Sequence, residues 1–152
     1  MDMEQTQADI LKDLHELGDS SSQYSYLIEC AAECEPFGED LHTDENLVRD
    51  CAVRTWVCVE RHAGRAVLVG DSESVIVRGA IALLEEIFNG RSAGEVARFE
   101  FKLLDDEMFT KHFSPKQRIG LAQAAATVKQ LMLGALGDDG AKADSSNGEE
   151  AR

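Results

Sequence analysis

The chain is short of positive charge: 15 Lys and Arg stand against 29 Asp and Glu in 152 residues, a formal net charge of -14. Such a balance repels phosphate backbones and anionic headgroups, which argues against nucleic acid or an anionic membrane as partner. Two readings stay open: a partner that offers a basic patch, or acidity that serves only solubility. Apolar runs are short as well. Nothing approaches the about 18 consecutive apolar residues of a spanning helix. The N-terminus, Met1-Asp2-Met3-Glu4, has neither the basic region nor the apolar stretch of a signal peptide. The expected compartment is therefore a reducing cytoplasm, where Cys30, Cys34, Cys51 and Cys58 are free thiols rather than two disulfides. Aromatic residues make up 6% of the chain, so the core is expected to be mainly aliphatic. Also missing are a paired-histidine metal motif, a phosphate loop and a hydrolase signature. If the chain does chemistry of its own, sulfur is best placed to carry it.

What is present suits one domain with a real core, 43% of the residues being apolar. Residues 1–8 are polar and expected to be a flexible N-terminus, 9–136 a folded domain, and 137–152 a disordered acidic tail. Ile10, Leu11, Leu14 and Leu17 recur at helical spacing before Gly18, and Asp19 can cap a second helix carrying Tyr24, Leu27, Ile28 and Ala31. Thr55–Glu60 and Arg65–Val69 are strand-like and joined through Arg61-His62-Ala63-Gly64, which reads as a hairpin. A strongly apolar helix from about Glu73 to Phe88 is expected at the centre. Short helices follow at Ser92–Ala97 and Asp105–Phe113, and Ser114-Pro115 opens the last helix. Phe99-Glu100-Phe101 alternates like a third strand. The expected fold is α+β: a small three-stranded antiparallel sheet packed with helices.

Cys51 stands where an acidic stretch meets the first strand, in Asp50-Cys51-Ala52-Val53-Arg54-Thr55-Trp56-Val57. A side chain at a loop-to-strand junction can be presented to a partner, and the nucleophile in sulfur chemistry is the thiolate. Arg49 and Arg54 are candidate supports for that anion, while Asp50 opposes it. Cys58 lies among strand valines and reads as core. Cys30 and Cys34, four apart near a helix end, together with Cys51 and Cys58, are a candidate four-thiolate metal set. Metal-site cysteines usually come as tight pairs on turns, which these do not match. His15, His42, His62 and His112 are scattered and read as surface or turn residues.

Several blocks, in order from Leu11 to Leu131, resemble the SufE family of sulfur-accepting partners of cysteine desulfurases. They are Tyr24-Ser25-Tyr26-Leu27-Ile28-Glu29, then Asn46-Leu47-Val48-Arg49-Asp50-Cys51 with Trp56-Val57. Next come Gly70-Asp71-Ser72-Glu73 with Ile76-Val77-Arg78-Gly79, and finally Ser114-Pro115 with Gly120-Leu121. The resemblance implies a SufE/NifU-like fold and an acceptor thiol at Cys51. It implies a pyridoxal-phosphate-dependent, SufS-like cysteine desulfurase as sulfur donor, an iron–sulfur scaffold complex as recipient, and no cofactor or metal in this chain. It also implies that the Cys51 loop swings out of a protected pocket. Asp71, Glu73, Gln117 and Arg118 are the candidate partner interface; Asp71 and Glu73 read equally as helix-capping acids, and Arg54 and Arg118 as solvated charges. The chain departs from the family at Asp50, where a glycine is usual, and at Ala52 and Val53, where a Gln-Ser pair is usual. Gln117 stands where an arginine is frequent, with Arg118 beside it. These departures leave a second reading, a non-catalytic SufE-like adaptor, alongside the less favoured metal scaffold.

Overall fold

The computed structural model describes residues 2–150, with side chains as far as 137. The elements run α1 (Met3–Leu17), α2 (Ser20–Ala32), β1 (Thr55–His62), β2 (Arg65–Ser72), α3 (Val75–Phe88), α4 (Ala93–Arg98), α5 (Glu107–His112) and α6 (Pro115–Glu150). Short 3-10 turns at Glu39–Leu41, Asp44–Asn46 and Leu103–Asp105 complete the chain. The acidic tail expected over 137–152 lies, but for Gly137, outside the residues whose side chains are described.

The helix starts follow from side chains that accept otherwise orphaned backbone N–H groups. Asp2 takes the N–H of Gln5, Asp19 that of Ser22, Ser74 that of Val77 and Asp106 that of Met108. Ser92 and Glu95 form a reciprocal capping box at α4. Ser114 and Gln117 make the same exchange at α6: Gln117 N–H donates to Ser114 Oγ (3.1 Å), and Ser114 N–H donates to Gln117 Oε1 (2.8 Å).

α3 is the central element, as its apolar composition predicts. Ile81, Ile87, Leu83, Phe88 and Leu84 are all at most 2% exposed, and α1, α2, α6 and β2 pack around it. β1 and β2 form an antiparallel hairpin turned at Ala63-Gly64, with Thr55 opposite Ser72 and His62 opposite Arg65. On α6, Leu121, Ala124, Ala125, Val128 and Met132 are buried in the same core. The 115–137 stretch of that helix is long and apolar enough to cross a membrane by length and composition, but its apolar stripe serves the domain core.

Three expectations are corrected. The sheet described has two strands, not three. Phe99-Glu100-Phe101 is an extended connection whose backbone bonds go to side chains of neighbouring helices instead of to a strand. Lys129 Nζ donates to Phe99 O (3.0 Å), Gln7 Nε2 donates to Glu100 O (3.2 Å), and Lys102 N–H donates to Gln7 Oε1 (2.8 Å). The alternation of Phe99 and Phe101 reflects burial against α6 and α3, including an edge-on contact of Phe99 with Phe88 at 5.6 Å. The polar N-terminus does not fray: α1 starts at Met3, and Met3, Thr6 and Gln7 are buried. Their burial is driven by packing of Met3 and by partners for the polar pair, Gln7 as above and Thr6 Oγ1 accepting from Arg91 Nη2 (2.8 Å). Finally, β2 extends through Gly70-Asp71 to Ser72, so α3 begins at Val75, two residues beyond the expected start.

One ionisable side chain lies inside this core. Glu85 of α3 is 6% exposed, and its Oε1 accepts the Glu35 N–H at 2.9 Å. Burial pushes its carboxyl up to about 7 from an ordinary 4.5. A raised acid binds its proton more tightly in the folded state, so its stabilising effect is complete below the unfolded value and is lost as pH rises through about 7. The urea midpoint should fall between about pH 5 and about pH 8, and Glu85→Gln, which cannot ionise, should flatten that fall. An equal slope in wild type and variant would remove Glu85 as its cause.

Candidate functional site

Cys51 lies in a loop, residues 49–54, whose ends are tied to each other. Leu47 bridges Trp56, and Val48 N–H donates to Thr55 O at 2.8 Å, so the chain leaves the edge of β1 at Val48 and rejoins it at Thr55. Val48 and Thr55 are buried, 5% and 0% exposed, while Arg49, Asp50, Ala52 and Arg54 are exposed. The return limb is fastened to the start of α3. Arg54 N–H donates to Glu73 Oε1 (3.2 Å), Glu73 N–H donates to Arg54 O (3.0 Å), and the Arg54 Nε lies 3.7 Å from the same carboxylate. That ion pair is solvent-exposed and adds little by itself; the backbone bonds fix the geometry.

Between its tied ends the loop folds onto α6. Gly120 is buried there, and a Cβ built on it would come within 2.8 Å of Cys51 Sγ and 3.0 Å of Cys51 Cα. Only a residue without a side chain lets the loop lie this close, which explains a glycine well inside a helix at some cost in helix propensity. Cys51 and Val53 pack half-buried on the edge of the core. Asp50 makes the turn with φ of 62°, in the left-handed region. This is the position where the resembled family has glycine. Asp tolerates the region better than most residues, so the departure keeps the loop's path at the cost of local strain.

Burial raises the Cys51 thiol above its ordinary value; the Thr55 hydroxyl acts in the opposite direction, and the Asp50 carboxylate raises it further. The expected support from arginine is not what the geometry provides: Arg54 is directed to Glu73, and Arg49 is exposed. The other thiols are further from ionising at neutral pH, Cys30 and Cys58 pushed by burial up to about 11 and Cys34 to about 12.

The remaining candidates are placed as follows. Asp71 accepts from His42 Nε2 at 2.7 Å and sits 3.5 Å from Arg78 Nε, while the His42 ring meets Trp56 edge-on at 4.5 Å. The Asp71 hydrogen bond raises the His42 imidazole. Glu73 holds the loop base. Gln117 is occupied in its cap, and Arg118 Nη1 donates to Phe113 O at 2.8 Å, closing the end of α5. Among the described residues no group of three or more His, Cys, Asp or Glu is arranged to hold a metal, so the geometry lends the metal-scaffold alternative no support. Sequence reasoning quoted Ser72 and Gly120 only within family blocks, without placing Gly120 against Cys51, and read Thr55, which closes the loop at Val48, as strand alone. The glycine inside a helix was a visible signal, whereas Thr55 looked like an ordinary strand residue.

Two substitutions probe the loop. Gly120→Ala should push Cys51 off α6 and speed its alkylation by iodoacetamide in the native protein about several-fold, read on the Cys51 peptide by mass spectrometry. Asp50→Gly relieves left-handed strain of about 1–2 kcal/mol, offset by about 0.4–1 kcal/mol of added unfolded-state freedom. Its expected outcome is a stability gain of up to about 1 kcal/mol in urea melts, with the alkylation profile shifted to lower pH.

The family described as the Fe–S metabolism associated domain, SufE, matches residues 8–132. An uncharacterized SufE-like protein of Rhizobium meliloti (strain 1021) is 29% identical over 133 residues, 84% of this chain and 94% of the relative. The cysteine desulfuration protein SufE of Wigglesworthia glossinidia brevipalpis is 26% identical over 110 residues, 71% of this chain and 76% of that protein. The solution structure of a hypothetical protein from Thermus thermophilus aligns with a TM-score of 0.66 at 19% identity, covering 86% of this chain and 96% of that one, and supports the fold. With the family matched across most of its length, the chain belongs to the SufE family.

Proposed function

We propose that this protein is a sulfur acceptor in iron–sulfur metabolism, with Cys51 as the residue that receives the sulfur. Family membership supports a role in Fe–S metabolism, and the relative from Wigglesworthia carries the name of a cysteine desulfuration protein. The observation that carries the reading is the position of Cys51, on a loop tied at both ends and laid against Gly120, so that the tip can lift while the sheet stays intact. In the transfer, the Cys51 thiolate attacks the outer sulfur of a desulfurase persulfide. The sulfur–sulfur bond of the donor breaks, a new one forms on Cys51, and the donor cysteine leaves as a thiolate that takes up a proton. Pyridoxal phosphate belongs to the desulfurase, and this chain contributes only the acceptor. The sulfur then passes to an iron–sulfur scaffold complex. Such chemistry needs a reducing compartment, the cytoplasm, to keep the thiol free. The docked, half-buried position limits its oxidation while no partner is present.

The partner surface in this reading surrounds the loop: Arg49, Arg54, Asp71, Glu73, Gln117 and Arg118, with Ile119 exposed on the same helix turn as Gly120. A second reading is favoured by one feature, the Asp50 carboxylate beside the thiol, which disfavours the anion. It keeps the docking and discards the chemistry, making the chain a non-catalytic adaptor.

Incubation with a cysteine desulfurase and free cysteine separates the two. The Cys51 peptide should gain about 32 Da, one sulfur atom, and sulfide release under reductant should rise with wild type and not with Cys51→Ser. Equal stimulation by Cys51→Ser, or no mass gain, would sink sulfur acceptance and favour the adaptor.

A further inference from the structure

We infer that a doubly protonated His42 latches residues 36–46 onto the hairpin and releases them as its ring gives up a proton, making His42 a positioning residue for the limb that enters the Cys51 loop. The latch belongs to the fold; only its bearing on sulfur transfer rests on the proposed function.

The segment between α2 and β1 has little else to hold it. Its bonds are mostly internal: Leu41 N–H donates to Gly38 O (3.0 Å), Asn46 N–H to Thr43 O (3.2 Å) and Asn46 Nδ2 to Leu41 O (2.9 Å). Among the described residues, the bond from His42 Nε2 to Asp71 Oδ2, at 2.7 Å, is the one hydrogen bond that ties 36–46 to the rest of the protein. Directly after this segment, Leu47 bridges Trp56 and the chain enters the loop. Asp71 lies opposite Trp56 in the hairpin, and His42 touches both, its ring edge-on to the indole at 4.5 Å. Phe37 meets the same imidazole at 4.9 Å.

Both ring nitrogens of His42 face atoms that can only accept. Nε2 meets the Asp71 carboxylate, and Nδ1 lies 3.2 Å from the Glu39 carbonyl oxygen. A neutral imidazole carries one N–H and must leave one of these acceptors facing a lone pair; only the imidazolium donates to both. The charged surroundings agree. Asp71 on β2 and Glu39 on the same turn are acids, β1 contributes the uncharged Trp56, and Arg78 of α3 is paired with the other Asp71 oxygen at 3.5 Å. The Asp71 bond chiefly, working against some burial, holds the imidazole above its ordinary 6.5. A group raised in this way stabilises in full below its unfolded value, and that contribution is lost as pH rises through the folded one. The pair is partly exposed, so the bond is modest and screened by salt, which suits a latch that opens without disturbing the hairpin. Its release frees the entry limb, while Glu73 keeps its hold on the return limb.

Trp56 is the single tryptophan of the chain, and a protonated imidazole in contact with an indole quenches its fluorescence more strongly than a neutral one. The test is the Trp56 emission of the folded full chain from about pH 5 to about pH 9, together with hydrogen exchange of the Leu41, Asn46 and Leu47 amides over the same range. Emission should rise in one step with its midpoint above 6.5. Amide protection, corrected for the intrinsic pH dependence of exchange, should fall at that same midpoint. His42→Gln keeps one donor but does not titrate, and should abolish the emission step and flatten the protection. Asp71→Asn should move the midpoint down, whereas Glu85→Gln, which removes the buried acid behind Glu35, should leave the step in place. A step that survives His42→Gln, a midpoint unmoved in folded Asp71→Asn, or protection that stays constant through the wild-type step would overturn the latch. Far-UV circular dichroism confirms that the compared proteins are folded, and the exposed His42 position keeps the test decisive if Asp71→Asn is not. Sulfur uptake by Cys51 from a desulfurase is measured in parallel. The step without uptake removes the proposed function and leaves the latch, whereas uptake without the step removes the latch alone.

Discussion

The contact on which the site depends is steric: the backbone of α6 at Gly120 and the thiol of Cys51 occupy adjoining space. Among the described residues no hydrogen bond or charge pair of comparable specificity joins the loop to that helix, so the docked position is set by shape and by what the neighbouring residues allow. Upstream, the turn at Asp50 aims the loop at α6, and downstream the buried Thr55 returns it to the sheet. α6 itself is located by the apolar stripe from Leu121 to Met132, which packs on the core around α3. The site is thus an outgrowth of core packing, with one missing side chain as the point of fit.

Most of the helices and the hairpin were legible because their signals are local. Asp19, Ser92 and Ser114 are side chains that cap the helices following them, and the Thr55–Glu60 run has the β-branched character of a strand. The errors came where a polar residue acts at long range. Gln7 reads as a frayed terminus, yet its amide holds the backbone at Glu100 and Lys102 more than ninety residues away, and that same bond is why Phe99-Glu100-Phe101 needs no neighbouring strand. In the candidate site, the place of Cys51 on a loop just before the strand was legible in the sequence. The pairing of Thr55 with Ser72 was not, since a threonine and a serine in a hairpin signal nothing until the register sets them face to face where the loop departs.

The electrostatics of the loop differ from what its composition suggests. Two arginines within three residues of a cysteine imply a stabilised anion, but a charged group acts through its position. Arg54 turns toward Glu73 and helps fasten the loop, while the charge that acts on the sulfur is the carboxylate of Asp50. The same residue therefore performs two opposed tasks, supplying a backbone angle that suits docking and a field that discourages ionisation. A glycine there would separate them.

The closure of residues 49–54 by the Val48–Thr55 bond has a dynamic consequence. A segment whose two ends are pinned at one point behaves like a flap on a single hinge line: its excursions end where they began and do not propagate along β1. Opening of the thiol is then a local fluctuation, with a free-energy cost set by a few contacts and far below that of global unfolding. A fold can in this way remain rigid through many successive encounters while the few atoms that meet each visitor stay quick.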